Sequence, residues 1–139
     1  MYEKLENKLI NKAYLFALEK HSGQKYGDQE FIYHPEQTYS VITLLSPKDI
    51  NLRIAALLHD TIEDTATTKA EIQKEFNKDV AELVQEVTSS SYNTFPNLHT
   101  FRGVVLLTAS RLCNMTNMHD WSEEKKRKYF FEKSKYWKS

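Results

Sequence analysis

Few residues in this sequence interrupt or cross-link the chain. Its 139 residues include one cysteine, three glycines and three prolines. A single cysteine, Cys113, excludes an internal disulfide and suits a reducing compartment, so a buried core must stabilise the fold. The sequence contains no run of about 20 apolar residues, and the charged start "MYEKLENKLI" lacks an apolar signal core. We therefore expect a cytoplasmic protein with one domain over residues 1–139, which are too few for two full domains.

An excess of charge of one sign is also absent. Nineteen basic residues balance nineteen acidic ones, so no overall field attracts nucleic acid or anionic lipid. The basic run from Lys125 to Lys128 is followed by aromatic residues near helical spacing, among them Tyr129 and Phe130. This pattern favours a helix with its aromatic residues in a core or an interface and its charges in water. A nucleic-acid or partner interface at this tail is the weakest functional hypothesis.

The apolar residues recur at intervals of three and four rather than alternating. This periodicity predicts an all-α fold, a compact arrangement of about six or seven helices. Thr68 and Glu71 have capping-box spacing, which predicts a helix start. Pro35 suits the first position of a helix, so His34 is predicted at the cap, facing out of the preceding loop. The predicted helices run from Leu5 to near Gly23, from Pro35, from Asp49 through Asp60, from Thr68 to about Phe76, from Asp79, over residues 101–117, and after a capping box at Asp120 and Glu123.

The stretch "AALLHDTIEDT", residues 55–65, joins an apolar helix to four titratable residues. His59, Asp60, Glu63 and Asp64 include pairs three and four apart, which a continuous helix would project onto neighbouring parts of one surface. Carboxylates this close repel by about a few tenths of a kcal/mol per pair on an exposed helix, and by more where water is excluded. Solvation or a metal ion can relieve that repulsion. The cluster is therefore either a solvated helix end or part of a metal site.

Four separated blocks of the sequence read "AYLFALEKHSGQKYGDQEFIYHP", "AALLHDTIEDT", "EFNKDVAELVQEVT" and "ASRLCNM". Their letters and their order resemble the HD superfamily of metal-dependent phosphohydrolases, in particular the (p)ppGpp hydrolase domain of RelA/SpoT proteins and its small stand-alone relatives. The likeness covers roughly residues 13–117. Agreement in several separated blocks, in order, is far more specific than one short motif.

The resemblance implies an all-helical enzyme that removes the 3′-pyrophosphate from (p)ppGpp with a bound divalent metal, Mn²⁺. By position, the family's metal ligands correspond to His34, His59, Asp60 and Ser110. Imidazole and carboxylate ligands with open positions for water suit Mn²⁺, which can acidify a bound water and shield phosphate charge. The resemblance also assigns catalytic roles to two acids and nucleotide-binding roles to three further residues: Glu63 and Asp64, and Lys25, Arg111 and Asn114.

The block "ASRLCN" departs from the family's A-D-R-L-H-N. Ser110 stands where the family has the aspartate ligand, Cys113 where it has histidine, and Leu107 where it usually has lysine. A neutral hydroxyl is a poorer ligand than a carboxylate for a hard divalent cation, so metal affinity should fall. Two hypotheses follow. Either a three-ligand site with an added water still hydrolyses a nucleotide, or the protein is a pseudoenzyme that binds a nucleotide or a protein partner without turnover.

The other histidines and the cysteine are expected to be structural or exposed. His21 lies at a predicted helix end, where it can contact the terminal carbonyls. His99 and His119 lie on or near loops and are expected at the surface, although either could in principle replace the missing ligand. Cys113 is expected in the core rather than as a nucleophile. The sequence leaves the oligomeric state open.

Overall fold

The computed structural model describes residues 2–90, 94–117 and 122–127. Within these ranges the fold is helical apart from one short hairpin, which confirms the predicted all-α class. The described helices include none that is both long and apolar enough to cross a membrane. His119, Asp120 and the aromatic tail from Lys128 onward lie outside the described residues. The elements are α1 (Tyr2–Lys20), β1 (Lys25–Tyr26), β2 (Gln29–Glu30), α2 (Tyr33–Leu45), α3 (Ile50–Leu58), α4 (Thr61–Asp64), α5 (Lys69–Glu75), α6 (Lys78–Glu86) and α7 (Phe101–Thr116), and residues 123–127 are helical as well.

Helix α3 is the centre of the fold. It packs against α1, α2, α6 and α7, and its side chains from Ile54 to Leu58 are buried. Full burial of leucines such as Leu57 and Leu58 contributes about 1.5–3 kcal/mol each, so the carboxyl end of α3 is anchored in the core. The two residues that follow, His59 and Asp60, are therefore presented from a fixed position.

Several helix starts in the described part of the chain are fixed by side chains that accept a backbone hydrogen bond, among them those of α3, α5 and α6. Asp49 and Thr68 each accept from the N–H group three residues ahead at 3.1 Å, at the predicted starts of α3 and α5. Helix α6 begins at Lys78, one residue before the predicted start at Asp79, because Asn77 makes the same kind of bond at 2.9 Å. These bonds satisfy N–H groups that have no partner inside the helix.

The prediction that His34 is an outward-facing cap residue is wrong. Helix α2 begins at Tyr33, one residue before His34, and the cap residue Ile32 makes no side-chain capping bond. Ile32 and Pro35 are buried, and His34 is buried with them. The first turn of α2 is therefore placed by apolar packing rather than by a polar cap, and this packing carries His34 into the interior.

The third helix, predicted to run through Asp60, is also shorter than expected, and no continuous helix carries the residues from His59 to Asp64. Helix α3 ends at Leu58, His59 and Asp60 form a turn, and the separate helix α4 follows. The hydroxyl of Thr61 donates to the carbonyl of Leu58 at 2.7 Å, a side-chain bond of the kind that competes with regular helix. The turn brings the side chains of His59 and Asp60 together, whereas adjacent residues of a straight helix do not face each other.

A buried carboxylate, Glu86, joins the end of α6 to the start of α7. It accepts hydrogen bonds from the backbone N–H groups of His99 and Thr100, at 3.0 and 2.9 Å, and from the hydroxyl of Thr100 at 2.7 Å. Burial alone would raise the pKa of Glu86, but these hydrogen bonds outweigh it and lower the pKa. The negative charge lies at the amino end of α7, where the helix dipole favours it.

Substitution of Gly103 by alanine should disrupt this junction. An ideal Cβ at Gly103 would lie 1.9 Å from Oε2 of Glu86, so the carboxylate would have to leave its donors. We expect a loss of about 1–3 kcal/mol in the free energy of unfolding, as overpacking typically costs, measured by urea denaturation. Thr108→Ala on the exposed face of the same helix is the control. A Gly103→Ala protein as stable as the wild type would contradict the predicted clash, since alanine otherwise favours a helix.

Candidate metal site and adjoining cavity

Four side chains from three separate parts of the fold converge at one point. His34 comes from the first turn of α2, His59 and Asp60 from the turn after α3, and Ser110 from α7. The Nε2 atoms of the two histidines are 3.3 Å apart, and they lie 3.6 Å (His34) and 3.1 Å (His59) from Oδ2 of Asp60. The hydroxyl of Ser110 lies 3.2 Å from Nε2 of His34 and 3.1 Å from Nε2 of His59. The structure therefore brings together the four predicted metal-ligand positions.

The ring of His59 is oriented by its other nitrogen. Nδ1 lies 2.6 Å from the backbone carbonyl of Ala56, and a carbonyl can only accept, so the proton is on Nδ1. Nε2 then points toward Asp60 and His34, where it can bond to Asp60 through a proton or, once that proton has left, offer its lone pair to a cation. A histidine that donates one N–H to a carbonyl and offers its other nitrogen is the usual arrangement of a metal ligand.

Burial and charge give the two imidazoles different proton affinities. Burial lowers the pKa of His34 to about 4, so this ring is neutral at pH 7. Burial also acts to lower the pKa of His59, but the charge of Asp60 and the hydrogen bond to it outweigh burial and raise the pKa. In return, the pKa of Asp60 is held well below its usual range by His59, although burial acts against this. A divalent cation at this point would take the place of the proton on His59.

The donor atoms fit a divalent cation. One ligand atom from each of His34, His59 and Asp60 lies within 4.8 Å of the other two, and ligands about 2.1 Å from a cation at right angles are roughly 3 Å apart. Two neutral nitrogens and one carboxylate oxygen suit a first-row divalent metal. Glu63 and Asp64 form a second such group with Asp60, but both are exposed, and carboxylates of that kind commonly occur without a metal.

A cavity of about 370 Å³ opens beside this cluster. Glu63 and Asp64 line it on the side of α4, and Arg111 and Asn114 on the side of α7. The predicted catalytic acids and two of the three predicted nucleotide-binding residues therefore surround one space with the metal-ligand positions. Apolar side chains, a serine and a lysine complete the described wall: Phe31, Val87, Leu107, Ser89 and Lys125, together with Tyr26.

The two predicted catalytic acids are held in different ways. Oε1 of Glu63 accepts a hydrogen bond from the backbone N–H of Ser89 at 2.9 Å. The amide of Gln24 donates to the backbone carbonyl of Asp64 at 3.0 Å, which ties α4 to the loop after α1. Although much of the Asp64 residue is exposed, the protein atoms around its carboxyl group desolvate it and, together with the charges of Asp60 and Glu63, raise its pKa to about 7. Asp64 thus takes up or releases a proton near neutral pH more readily than an ordinary aspartate does.

Other described residues singled out in the sequence do not line this space. Lys25 is not among the described residues that line the cavity, and its Nζ pairs with Glu30 across the hairpin. His99 is exposed, with Nε2 3.8 Å from Oε1 of Glu86, so it does not supply the missing ligand. His21 is buried and stacked on Phe31 with ring centroids 4.3 Å apart. His119, the other alternative ligand, lies outside the described residues.

Tyr26, like Phe31, Val87 and Ser89, belongs to the cavity wall although the sequence did not single it out. Tyr26 lines the cavity where Lys25 was expected to contribute. The two residues are neighbours on β1, and side chains of neighbouring strand residues point to opposite faces. A strand of two residues is too short to show that alternation as a sequence pattern. The register of the hairpin therefore decides whether Lys25 or Tyr26 faces the cavity.

Comparison with known proteins identifies the family. The family model described as HD domain matches residues 13–99 of the chain. This chain belongs to the HD-domain family. The HD-domain chain is 34% identical over 146 residues to the guanosine-3′,5′-bis(diphosphate) 3′-pyrophosphohydrolase MESH1 of Xenopus tropicalis, and the match covers 88% of the chain and 79% of that relative.

Bacterial relatives of this HD-domain chain are much longer proteins. The guanosine-3′,5′-bis(diphosphate) 3′-pyrophosphohydrolase of Aquifex aeolicus is 37% identical over 133 residues, which cover 86% of the chain and 19% of that protein. The GTP pyrophosphokinase rsh of Brucella ovis is 38% identical over 81 residues, which cover 58% of the chain and 11% of that protein. The HD-domain chain therefore spans less than a fifth of either bacterial relative.

The solved structure of a metazoan ortholog of SpoT, a protein that hydrolyses ppGpp, has the same fold. It matches with a TM-score of 0.74 over 89% of this chain and 80% of that one, at 23% identity. The helical arrangement described above is therefore that of an HD domain.

Proposed function

We propose that this protein hydrolyses (p)ppGpp, or a related purine nucleotide with a 3′-pyrophosphate, and releases pyrophosphate with the help of a bound divalent cation, Mn²⁺ in the first instance. The observation that carries the proposal is the convergence of His34, His59 and Asp60 beside a cavity that also contains Glu63 and Asp64. Relatives named for this reaction, one of them matched over most of its length, support the choice of substrate. We further propose that residues 1–139 form a single HD-type domain.

His34, His59 and Asp60 would hold the cation, and Ser110 would lie beside it as a neutral fourth group. When bound, such a cation acidifies a coordinated water and screens phosphate charge. His34 offers a neutral ring at pH 7 because burial lowers its pKa to about 4, and Asp60 supplies the negative charge. These residues define the metal half of the site.

Glu63 and Asp64 would orient the attacking water and accept its proton. Both lie on α4, next in the chain to Asp60, and both line the cavity. A general base must lie within hydrogen-bond reach of the water that it activates, and ligand atoms of Glu63 and Asp64 within 4.8 Å of one from Asp60 support this role. Glu63 is kept in place by the N–H of Ser89, so it can orient a water without a change of rotamer.

The opposite wall would bind the nucleotide. Arg111 and Lys125 bring positive charge to the cavity, where a pyrophosphate carries several negative charges, and guanidinium groups suit phosphate oxygens. Asn114 can donate and accept hydrogen bonds, as recognition of a base or a sugar requires. The nucleotide would therefore lie between α4 and α7, with its 3′-pyrophosphate toward the histidines.

A direct assay tests this function. Purified protein incubated with ppGpp and Mn²⁺ should release pyrophosphate and GDP, and excess EDTA should stop the reaction. The control is the same protein with both His59→Ala and Asp60→Ala. Pyrophosphate release no faster than that of the control would refute hydrolysis of this substrate.

A pseudoenzyme that binds a nucleotide without turnover is the second candidate. The observation in its favour is Ser110, a neutral hydroxyl in contact with both imidazoles where the resembling family has a carboxylate ligand. Saturable binding of ppGpp by calorimetry, without any product after prolonged incubation with Mn²⁺, would favour this candidate over the hydrolase.

A further inference from the structure

A two-residue turn places Tyr26 in the cavity wall. Strands β1 and β2 pair antiparallel, with Lys25 opposite Glu30 and Tyr26 opposite Gln29. Gly27 follows Tyr26 with φ +61°, a value that a glycine at the first position of a tight hairpin turn adopts without strain. The pairing of Lys25 with the exposed Glu30 holds that side chain on the outer face, and Tyr26 faces the cavity.

Tyr26 contacts both halves of the site. Its ring stacks on the imidazole of His34, with centroids 4.9 Å apart and an interplanar angle of 30°. Its hydroxyl donates a hydrogen bond of 2.7 Å to Oδ1 of Asn114, 88 residues away in the chain. One side chain thus connects a metal-ligand position on α2 with a nucleotide-binding position on α7.

The ring of His34 has no polar support of the kind that orients His59. Its Nδ1 is buried and has no hydrogen-bond partner among the described residues, whereas Nδ1 of His59 donates to a carbonyl. Apart from the contacts of its Nε2 with Ser110 and Asp60, the orientation of the His34 ring therefore depends on aromatic packing. Tyr26 is stacked closest to it, and Phe31 meets it edge-on with centroids 6.4 Å apart.

Asn114 is oriented by the tyrosine hydroxyl. Because that hydroxyl donates to Oδ1, the amide oxygen of Asn114 is engaged, and its NH₂ group remains the donor that a ligand can use. Without the hydroxyl, the amide could rotate and present oxygen or nitrogen with similar ease. The bond from Tyr26 therefore makes Asn114 a hydrogen-bond donor toward a ligand in the cavity.

We infer that Tyr26 is a positioning residue that holds His34 through its ring and Asn114 through its hydroxyl, and so couples the metal half of the site to its nucleotide half. The inference rests on the proposed function for the identity of the two ligands. Beyond that function, we infer that the ring of Tyr26 supports the metal half of the site and its hydroxyl supports the nucleotide half. Substitutions that remove one part at a time should therefore have different effects.

Tyr26→Phe keeps the ring and removes the hydroxyl. Calorimetric titration should give a Kd for Mn²⁺ within about twofold of the wild type. The Kd for ppGpp measured in EDTA, where no turnover occurs, should rise by about 3- to 10-fold, as loss of one hydrogen bond would produce. In the assay, KM should rise by a similar factor while kcat changes less than twofold.

Tyr26→Leu removes the stacked ring as well. The Kd for Mn²⁺ should then rise by about 10-fold, the lower end of the effect of groups that orient metal ligands. Tyr26→Met, which fills a similar volume with a flexible chain, gives the same test if the leucine variant does not fold. Glu30→Gln on the outer face of the hairpin is the control, and it should leave both Kd values unchanged. Thermal unfolding of each variant establishes that the fold is retained.

The outcomes separate this inference from the proposed function. A wild type that hydrolyses ppGpp, with Tyr26 variants whose binding constants match it, would overturn the inference and leave the function intact. A wild type that binds Mn²⁺ and ppGpp without hydrolysis would refute the function, and the binding constants of the variants would still decide the inference. A wild type that binds neither ligand would refute both.

Discussion

Asp60→Asn is expected to weaken Mn²⁺ binding by at least about 100-fold and to abolish measurable hydrolysis of ppGpp. Among the described residues, Asp60 is the carboxylate that the two groups of candidate ligand atoms share, and its Oδ2 lies 3.1 Å from Nε2 of His59. Asparagine has nearly the same volume but no negative charge, so the cation would face two neutral imidazoles, a neutral amide and a hydroxyl. Groups that merely orient metal ligands already contribute 10- to 100-fold in affinity, roughly, and a charged ligand should contribute more.

The fold should survive this substitution because Asp60 is not part of the core. Its charge mainly raises the pKa of His59, so the asparagine variant should hold that buried histidine in its neutral form. Isothermal titration with Mn²⁺ measures the affinity, and circular dichroism and thermal unfolding measure the fold. Asp28→Asn, in the exposed hairpin turn, is the matched control. A Kd for Mn²⁺ within threefold of the wild type would contradict the assignment of Asp60 as a ligand.

Local signals in the sequence predicted the elements that depend on local interactions. Thr68 was predicted as a helix start from its spacing to Glu71, and the structure shows the capping bond at 3.1 Å. The apolar period of α3 predicted a buried helix, and its side chains from Ile54 to Leu58 are buried. In both cases the residues that decide the structure lie within a few positions of each other.

The features that the sequence did not predict depend on contacts between distant segments. The start of α2 is set by burial of Ile32 and Pro35 in the core, which no local pattern contains, so His34 was predicted outside when it lies inside. The bond from Tyr26 to Asn114 joins residues 88 positions apart. Likewise, the placement of Ser110 against both imidazoles was expected from resemblance to a family and could not be obtained from spacing in this sequence.

Ser110→Asp is expected to tighten Mn²⁺ binding by about 10- to 100-fold. The hydroxyl of Ser110 lies 3.1 to 3.2 Å from both Nε2 atoms, so a carboxylate at this position would face the same point from α7. It would give the cation a second anionic ligand beside Asp60, and hard divalent cations bind carboxylate oxygens far better than a neutral hydroxyl. Titration calorimetry with Mn²⁺ measures this change directly.

Ser110→Asp should lower the thermal stability of the protein without the metal and raise it with the metal bound. Ser110 is buried, with 6% of its surface exposed, so a carboxylate there is desolvated and repelled by Asp60 when no cation is present. In EDTA the variant should unfold at a lower temperature than the wild type. With Mn²⁺ in excess it should unfold at a higher temperature, because tighter binding to the folded state adds more stability. Ser110→Asn, of similar size but uncharged, should not show this reversal.

Activity of the same variant separates the two candidate functions. If wild type and Ser110→Asp both release pyrophosphate, three protein ligands suffice for catalysis, and the serine only reduces metal affinity. If the wild type is inert and the aspartate variant gains Mn²⁺-dependent hydrolysis, the chain has kept Glu63, Asp64 and the cavity. It has then lost turnover because the carboxylate ligand at position 110 is missing. Should the variant bind Mn²⁺ no more tightly than the wild type, Ser110 does not face the metal, and the convergence of His34, His59 and Asp60 must hold a cation without any contribution from α7.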